Sequence, residues 1–108
     1  NAPNSDLEAV TALDAAGCHA IIFTTGRGTP VGSPASITLK VTATAATYER
    51  MRENTDLCVA GVLDGSESAG DAARRIVQAL VQAVNGNLTA AERVGHHELA
   101  IPIRGVTY

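Results

Sequence analysis

Ile37, Leu39 and Val41 alternate with Thr38, Lys40 and Thr42. That period of two predicts a strand with one buried and one polar face. A different pattern precedes it. Ile21, Ile22 and Phe23 stand in a row within 18–25, and a short continuous apolar run reads as a strand covered on both faces. The helical period is clearest over 69–84. Ala73, Ile76, Val77, Leu80, Val81 and Val84 recur on one side, with Arg74, Arg75, Gln78 and Gln82 on the other. Leu7, Val10 and Leu13 mark an N-terminal helix, opened by a capping box from Ser5 to Glu8 and stopped at Gly17. Thr44 is placed to cap a short helix over 45–53, and residues 56–63 read as a third strand ending at Asp64-Gly65. Thr89 and Glu92 form a second capping box. Residues 98–103 read as a last strand, with Pro102 favouring an edge position.

This alternation predicts an α/β fold: one small layered domain over 1–108, with three to four strands flanked by helices. Apolar residues make up 45% of the chain, enough for a packed core, but aromatics are only 3% and Trp is absent. The core must therefore be built from Ala, Val, Ile and Leu. Net charge is −3 with no basic block, which argues against a nucleic-acid surface. No apolar run approaches the roughly 20 residues that span a bilayer. There is no charged start followed by an apolar signal core, so a cytoplasmic protein away from the membrane is expected. Cys18 and Cys58 are too few for a disulfide framework and read as two reduced, buried thiols.

Candidate chemistry gathers where the first strand ends. Residues 26–36 hold three Gly and two Pro, and Arg27 sits between Gly26 and Gly28. A P-loop needs Gly-Lys-Ser/Thr opening a helix, whereas Gly32 is followed by Ser33-Pro34 and a strand. The dinucleotide fingerprint fails on its last spacing. What remains is a generic anion cradle. Glycines let successive N–H groups converge, Arg27 supplies a planar fork for a carboxylate, and Thr24, Thr25 and Thr29 add hydroxyls. From spacing alone the loop reads first as a tight connection with a solvated arginine, and second as an anion site.

The same residues carry a resemblance. Ala16-Gly17-Cys18-His19, the run from Ile22 to Pro30 with Gly32, and Lys40-Val41 resemble the C-terminal domain of the altronate dehydratase/galactarate dehydratase family. The start at Asn1-Ala2-Pro3 and the tail Gly105-Val106-Thr107 are similar as well, and His19 with Ala46-Thr47-Tyr48 resembles the galactarate branch. The resemblance implies a hydro-lyase that removes water across C2 and C3 of a sugar acid, through an enediolate, to a 2-keto-3-deoxy acid. It implies dependence on a divalent metal, usually ferrous iron. It also implies a small anionic sugar-acid substrate and preceding domains of the same enzyme, of which this chain is the last. A sulfolactate sulfo-lyase large subunit shares the architecture. Two alternatives stand beside the enzyme reading: a non-catalytic anion-binding module and an oligomerising one. The alanine-rich long helix could pack on a missing domain or a second copy.

On this reading the substrate-binding candidates are Thr24, Thr25, Gly26, Arg27, Gly28, Thr29 and Lys40. No residue is assigned as the catalytic base. Lys40 reads first as a solvated lysine on a polar face, and as a source of positive charge or a base if that face meets the loop. Cys18, His19 and Glu98 are weak metal candidates. Adjacent Cys18 and His19 would point to opposite faces of a strand, and His19 reads first as a hydrogen-bonded core residue. His96 and Glu98 share a face but make an incomplete ligand set. Asp56 fits the family pattern of an acid opening an Asp-x-Asp/Asn segment, whose second position is here Cys58, a loss that implies a changed substrate or lost activity if the family side chain there binds a metal or a catalytic hydroxyl. Thr44 stands where the family has asparagine, a change that reads as one helix cap for another.

Overall fold

The structure is a computed structural model that describes residues 5–101. Its centre is a three-stranded parallel sheet in the order β1 (Ala20–Thr24), β2 (Ile37–Thr42), β3 (Leu57–Cys58). In the register Ile21 lies beside Thr38, Phe23 beside Lys40, and Val41 beside Leu57. The expected α/β class is the observed one, with five helices around the sheet: α1 (Asp6–Ala15), α2 (Ala45–Arg50), α3 (Gly61–Asp64), α4 (Ala69–Val84) and α5 (Ala90–Val94).

Helix ends follow their local chemistry unevenly. Thr89 and Glu92 close the expected capping box, each satisfying a free N–H of the other's segment. Ser68 caps α4 by accepting from the Asp71 N–H. Gly17 and Gly95 take left-handed backbone just beyond α1 and α5, where a Cβ would be strained. At Ser5 and Thr44 the helices start as predicted, but neither side chain makes a capping bond.

The strands differ more from expectation. β2 is buried on both faces, because it is central and the loop over 25–36 folds back across its polar side. β1 is an edge strand, and its apolar run is covered on one face only: Ile21 is buried, whereas Ile22, on the opposite face, is 45% exposed. The third strand is two residues long, and residues 59–63 turn into α3 instead. Residues 98–101 form no strand, and the remainder of that predicted element lies outside the described residues.

Pleating places Leu39 and Val41 on one face of β2 and Thr38, Lys40 and Thr42 on the other. Leu39 shares a cavity with Ala79 and Ala83, so α4 covers the apolar face. The polar face is tied to the loop and, through one carboxylate, to α5. Asp56 Oδ2 accepts the Lys40 N–H at 2.7 Å, and its Oδ1 accepts the Ala90 N–H at 2.7 Å. β3 begins one residue too late to pair with that Lys40 amide, and the aspartate takes its place. Asp56 is thus a brace between strand and helix.

Losing both acceptors leaves two enclosed N–H groups without partners. Asp56→Ala is expected to destabilise the domain by about 2–4 kcal/mol and Asp56→Asn by clearly less, read from urea unfolding midpoints at constant slope.

Candidate functional site

In open parallel sheets, ligands collect beyond the carboxyl ends of the strands. Here that edge is a cleft of about 260 Å³ lined by Thr24, Thr25 and Gly26 from the first strand's end, Val41, Ala43 and Thr44 from the second, and Val59 after the third. The loop over 25–36 forms one wall. Its shape is set by short side chains bonding to nearby backbone. Thr25 Oγ1 accepts the Gly28 N–H at 3.0 Å, and Thr29 Oγ1 accepts the Val31 N–H at 3.3 Å. Ser33 Oγ accepts the N–H groups of Ala35 and Ser36 at 2.9 Å each and donates to Asp14 Oδ2 on α1 at 2.6 Å.

Two glycines are required by close approach. Gly28 has φ +86°, and a Cβ there would run into the Met51 sulfur. A Cβ on Gly32 would run into the His96 carbonyl and the Ala91 methyl. The loop therefore lies flat on α5 and on the segment after α2.

The predicted site residues divide into two groups. Thr24, Gly26 and Arg27 are exposed, and Thr25 is half-buried at the cleft. Thr29 and Lys40 are enclosed, at 3% and 0% exposure, and lie beneath the loop. Gly28 is half-buried, with its amide already paired to Thr25. Lys40 is thus not the solvated lysine of the sequence reading. Its Nζ donates to the Thr29 carbonyl at 3.2 Å. Burial pushes its pKa below the ordinary lysine value, opposed by the negative charges of Asp56 and Glu98.

Two residues that sequence reasoning passed over hold the tip of the loop. Thr47 Oγ1 donates to the Gly26 carbonyl at 2.8 Å, and Arg50 Nη2 donates to the Arg27 carbonyl at 2.9 Å. Both come from α2. With these carbonyls engaged behind it, the Arg27 segment is fixed while its side chain stays exposed. The Ala46-Thr47-Tyr48 run within the resemblance was the available signal for Thr47; Arg50 carried none.

The metal candidates are not brought together. His19 is exposed and Cys18 half-buried at the start of β1, so His19 is not the core histidine expected. Both cysteines are free and half-buried rather than fully buried. Glu98 is exposed, and its carboxyl is held below the usual range mainly by its contact with His96, Nδ1 to Oε1 at 3.1 Å. Among the described residues no three His, Cys, Asp or Glu side chains converge to hold an ion. The residues present do not fit a metal centre by themselves.

A family profile described as D-galactarate/altronate dehydratase, C-terminal, matches residues 1–107. The chain belongs to that family. The dehydratase-family chain is 35% identical over 107 residues to the altronate dehydratases of Escherichia coli K12 and Bacillus subtilis 168. That match covers 99% of this chain and 21% of each relative. It is 34% identical over 94 residues to the (2R)-sulfolactate sulfo-lyase subunit beta of Chromohalobacter salexigens, covering 87% of the chain and 24% of the relative. The chain therefore spans a fifth to a quarter of the length of these curated relatives. Among the described residues no helix is long and apolar enough to cross a membrane.

Within this dehydratase-family domain, Thr44 is not a substitute cap. Its side chain makes no capping bond, and the residue lines the cleft. The departure from asparagine there falls on the candidate site, whereas Cys58 sits in β3 and its carbonyl receives Arg75 at 3.0 Å.

Lys40 gives this fold a pH signature. Because its folded-state pKa is depressed, the unfolded chain binds more protons between that lowered value and 10.5, so stability rises with pH across the window. Lys40→Met is expected to flatten that rise, measured by denaturant unfolding at a series of alkaline pH values.

Proposed function

We propose that this chain is the domain of a sugar-acid dehydratase that holds the carboxylate end of an acidic substrate at the strand-end cleft. The observation that carries the reading is the fixed, exposed Arg27, one residue beyond the cleft-lining Gly26, on a loop whose other polar groups are turned inward. The N–H groups of Gly26 and Arg27 donate to no other group among the described residues. They stand free for an oxyanion, and the side chain of Arg27 is itself exposed.

Roles then separate. Arg27, Thr24 and the Gly26–Arg27 amides contact the substrate carboxylate. Thr25, Gly28, Thr29 and Lys40 shape the loop beneath them, and enclosed Lys40 adds positive potential without touching the ligand. The reaction removes the C2 proton as the C3 hydroxyl leaves with a second proton, so that water is lost and the enol tautomerises to a 2-keto-3-deoxy acid. As the proton leaves, negative charge builds next to a carboxylate that is already charged, which is where preorganised donors act most strongly. Dependence on a divalent metal, ferrous iron in the first instance, and a cytoplasmic location are part of this proposal. The described residues offer no ligand set for that metal. The near-equal identity to a sulfolactate sulfo-lyase subunit makes a sulfonated hydroxy acid the second substrate class.

The full-length protein should turn over altronate, galactarate or sulfolactate. Arg27→Ala should lower kcat/KM about 10- to 100-fold, the size of one lost charge-assisted bond. Arg27→Lys should recover only part of it, because the planar fork is gone. Wild-type kcat/KM in Arg27→Ala would remove the site assignment.

A further inference from the structure

Among the described residues the sheet ends on one side at a strand with no further partner strand, where Ala9, Val10 and Leu13 of α1 share an open cavity of about 220 Å³ with Ile21, Ile22, Phe23 and Thr24. β1 is an edge strand. The Ile37 N–H donates to the His19 carbonyl, and the Thr25 N–H donates to the Val41 carbonyl. Along a parallel ladder every second residue pairs with the same neighbour. Ile21 and Phe23 thus face β2, and the amides of Ala20, Ile22 and Thr24 line the free edge. Edge strands are normally guarded by lysine, proline or an inward charge, and Ala20–Thr24 has none of these.

The helix that covers the Leu39 face of the sheet is open on one flank as well. α4 buries Ala72 and Ala83, yet leaves Val77, Val81 and Val84 more than half exposed. Arg75 reaches the Cys58 carbonyl on β3, and Gln82 lines the cavity beside Leu57, so the opposite flank of α4 is turned away from β3. Ile22 lies on the same face of the sheet as Leu39 and α4, and is 45% exposed. An open strand edge and an apolar helix flank therefore border the same side of the sheet.

We infer that the remaining part of the dehydratase polypeptide occupies this side, adding a strand to β1 and an apolar element over Ile22, Val77 and Val84. The inference rests on the family reading, not on turnover. Length favours this occupant, since the altronate dehydratase relatives are covered to only 21%. Size favours it too. A five-residue edge and three side chains fall short of the roughly 800 Å² per partner that a standard free association buries. A covalently joined segment needs less, because tethering supplies an effective concentration in the millimolar range.

The test is residue-resolved amide hydrogen exchange on the full-length polypeptide. Ala20, Ile22 and Thr24 should exchange about as slowly as Ile21 and Phe23, and a hundredfold dilution should not change this. Val77→Asp should speed exchange at Ile22 and Thr24 at least about tenfold, with Phe23 less affected. Exchange of the three edge amides at free-peptide rates would overturn the inference. So would protection that fades on dilution as the mass halves, since a second copy would then be the occupant. A reading frame encoding these 108 residues alone would overturn it as well. Protection in a protein that dehydrates no sugar acid would leave this surface assigned and count only against the proposed reaction.

Discussion

The polar face of β2 must be satisfied without water, and that requirement organises the rest of the domain. Thr38, Lys40 and Thr42 are each at or below 1% exposure. An enclosed ammonium or hydroxyl left unpaired costs far more than one hydrogen bond returns. Thr38 Oγ1 accepts the Ser33 N–H at 3.3 Å, Lys40 Nζ meets the Thr29 carbonyl, and Thr42 Oγ1 accepts the Thr44 N–H at 3.2 Å. The strand's side chains thus dictate where the loop before it and the turn after it must run. Those two segments are the walls of the cleft.

This explains how a loop rich in glycine and proline becomes a fixed surface. Its hydroxyls and one buried lysine point inward and consume its own amides and carbonyls, while α2 ties down the tip through Thr47 and Arg50. What faces outward is short: Arg27, Thr24 and two amides. On the proposed reading, so few exposed donors suit a small anion better than an extended polymer.

Much of the fold was legible in the sequence. The α4 bounds, the Thr89 capping box and the β2 alternation all depend on contacts within a few residues, and those are what periodicity and capping rules describe. The failures share a cause in tertiary context. Ile21-Ile22-Phe23 read as a doubly covered strand, but coverage depends on which neighbours a strand acquires, and β1 has one. Lys40 read as solvated because alternation marks its face as polar without showing that a loop folds over it. The third strand shrank to two residues because the chain turns at Ala60-Gly61, a glycine whose Cβ would crowd Ser66 and Glu67. In the candidate site, Arg27 and the threonines were visible from composition and resemblance. Arg50 was not, since its part is a single bond to a carbonyl 23 residues away.

The two departures from the family pattern also change weight once their positions are known. On sequence alone Cys58 looked consequential and Thr44 conservative. A cap substitution is conservative only when the side chain caps, and Thr44 makes no such bond. Its hydroxyl stands at the cleft across from Thr24 and Thr25, where a shorter side chain than asparagine leaves room and one fewer donor. Cys58 is bound into β3 through its backbone, pairing with Thr42, and that pairing asks nothing of its side chain. On the proposed site, substrate choice within this family should therefore track position 44, two residues past β2, more closely than position 58 in β3, because only the former borders the space a ligand would fill.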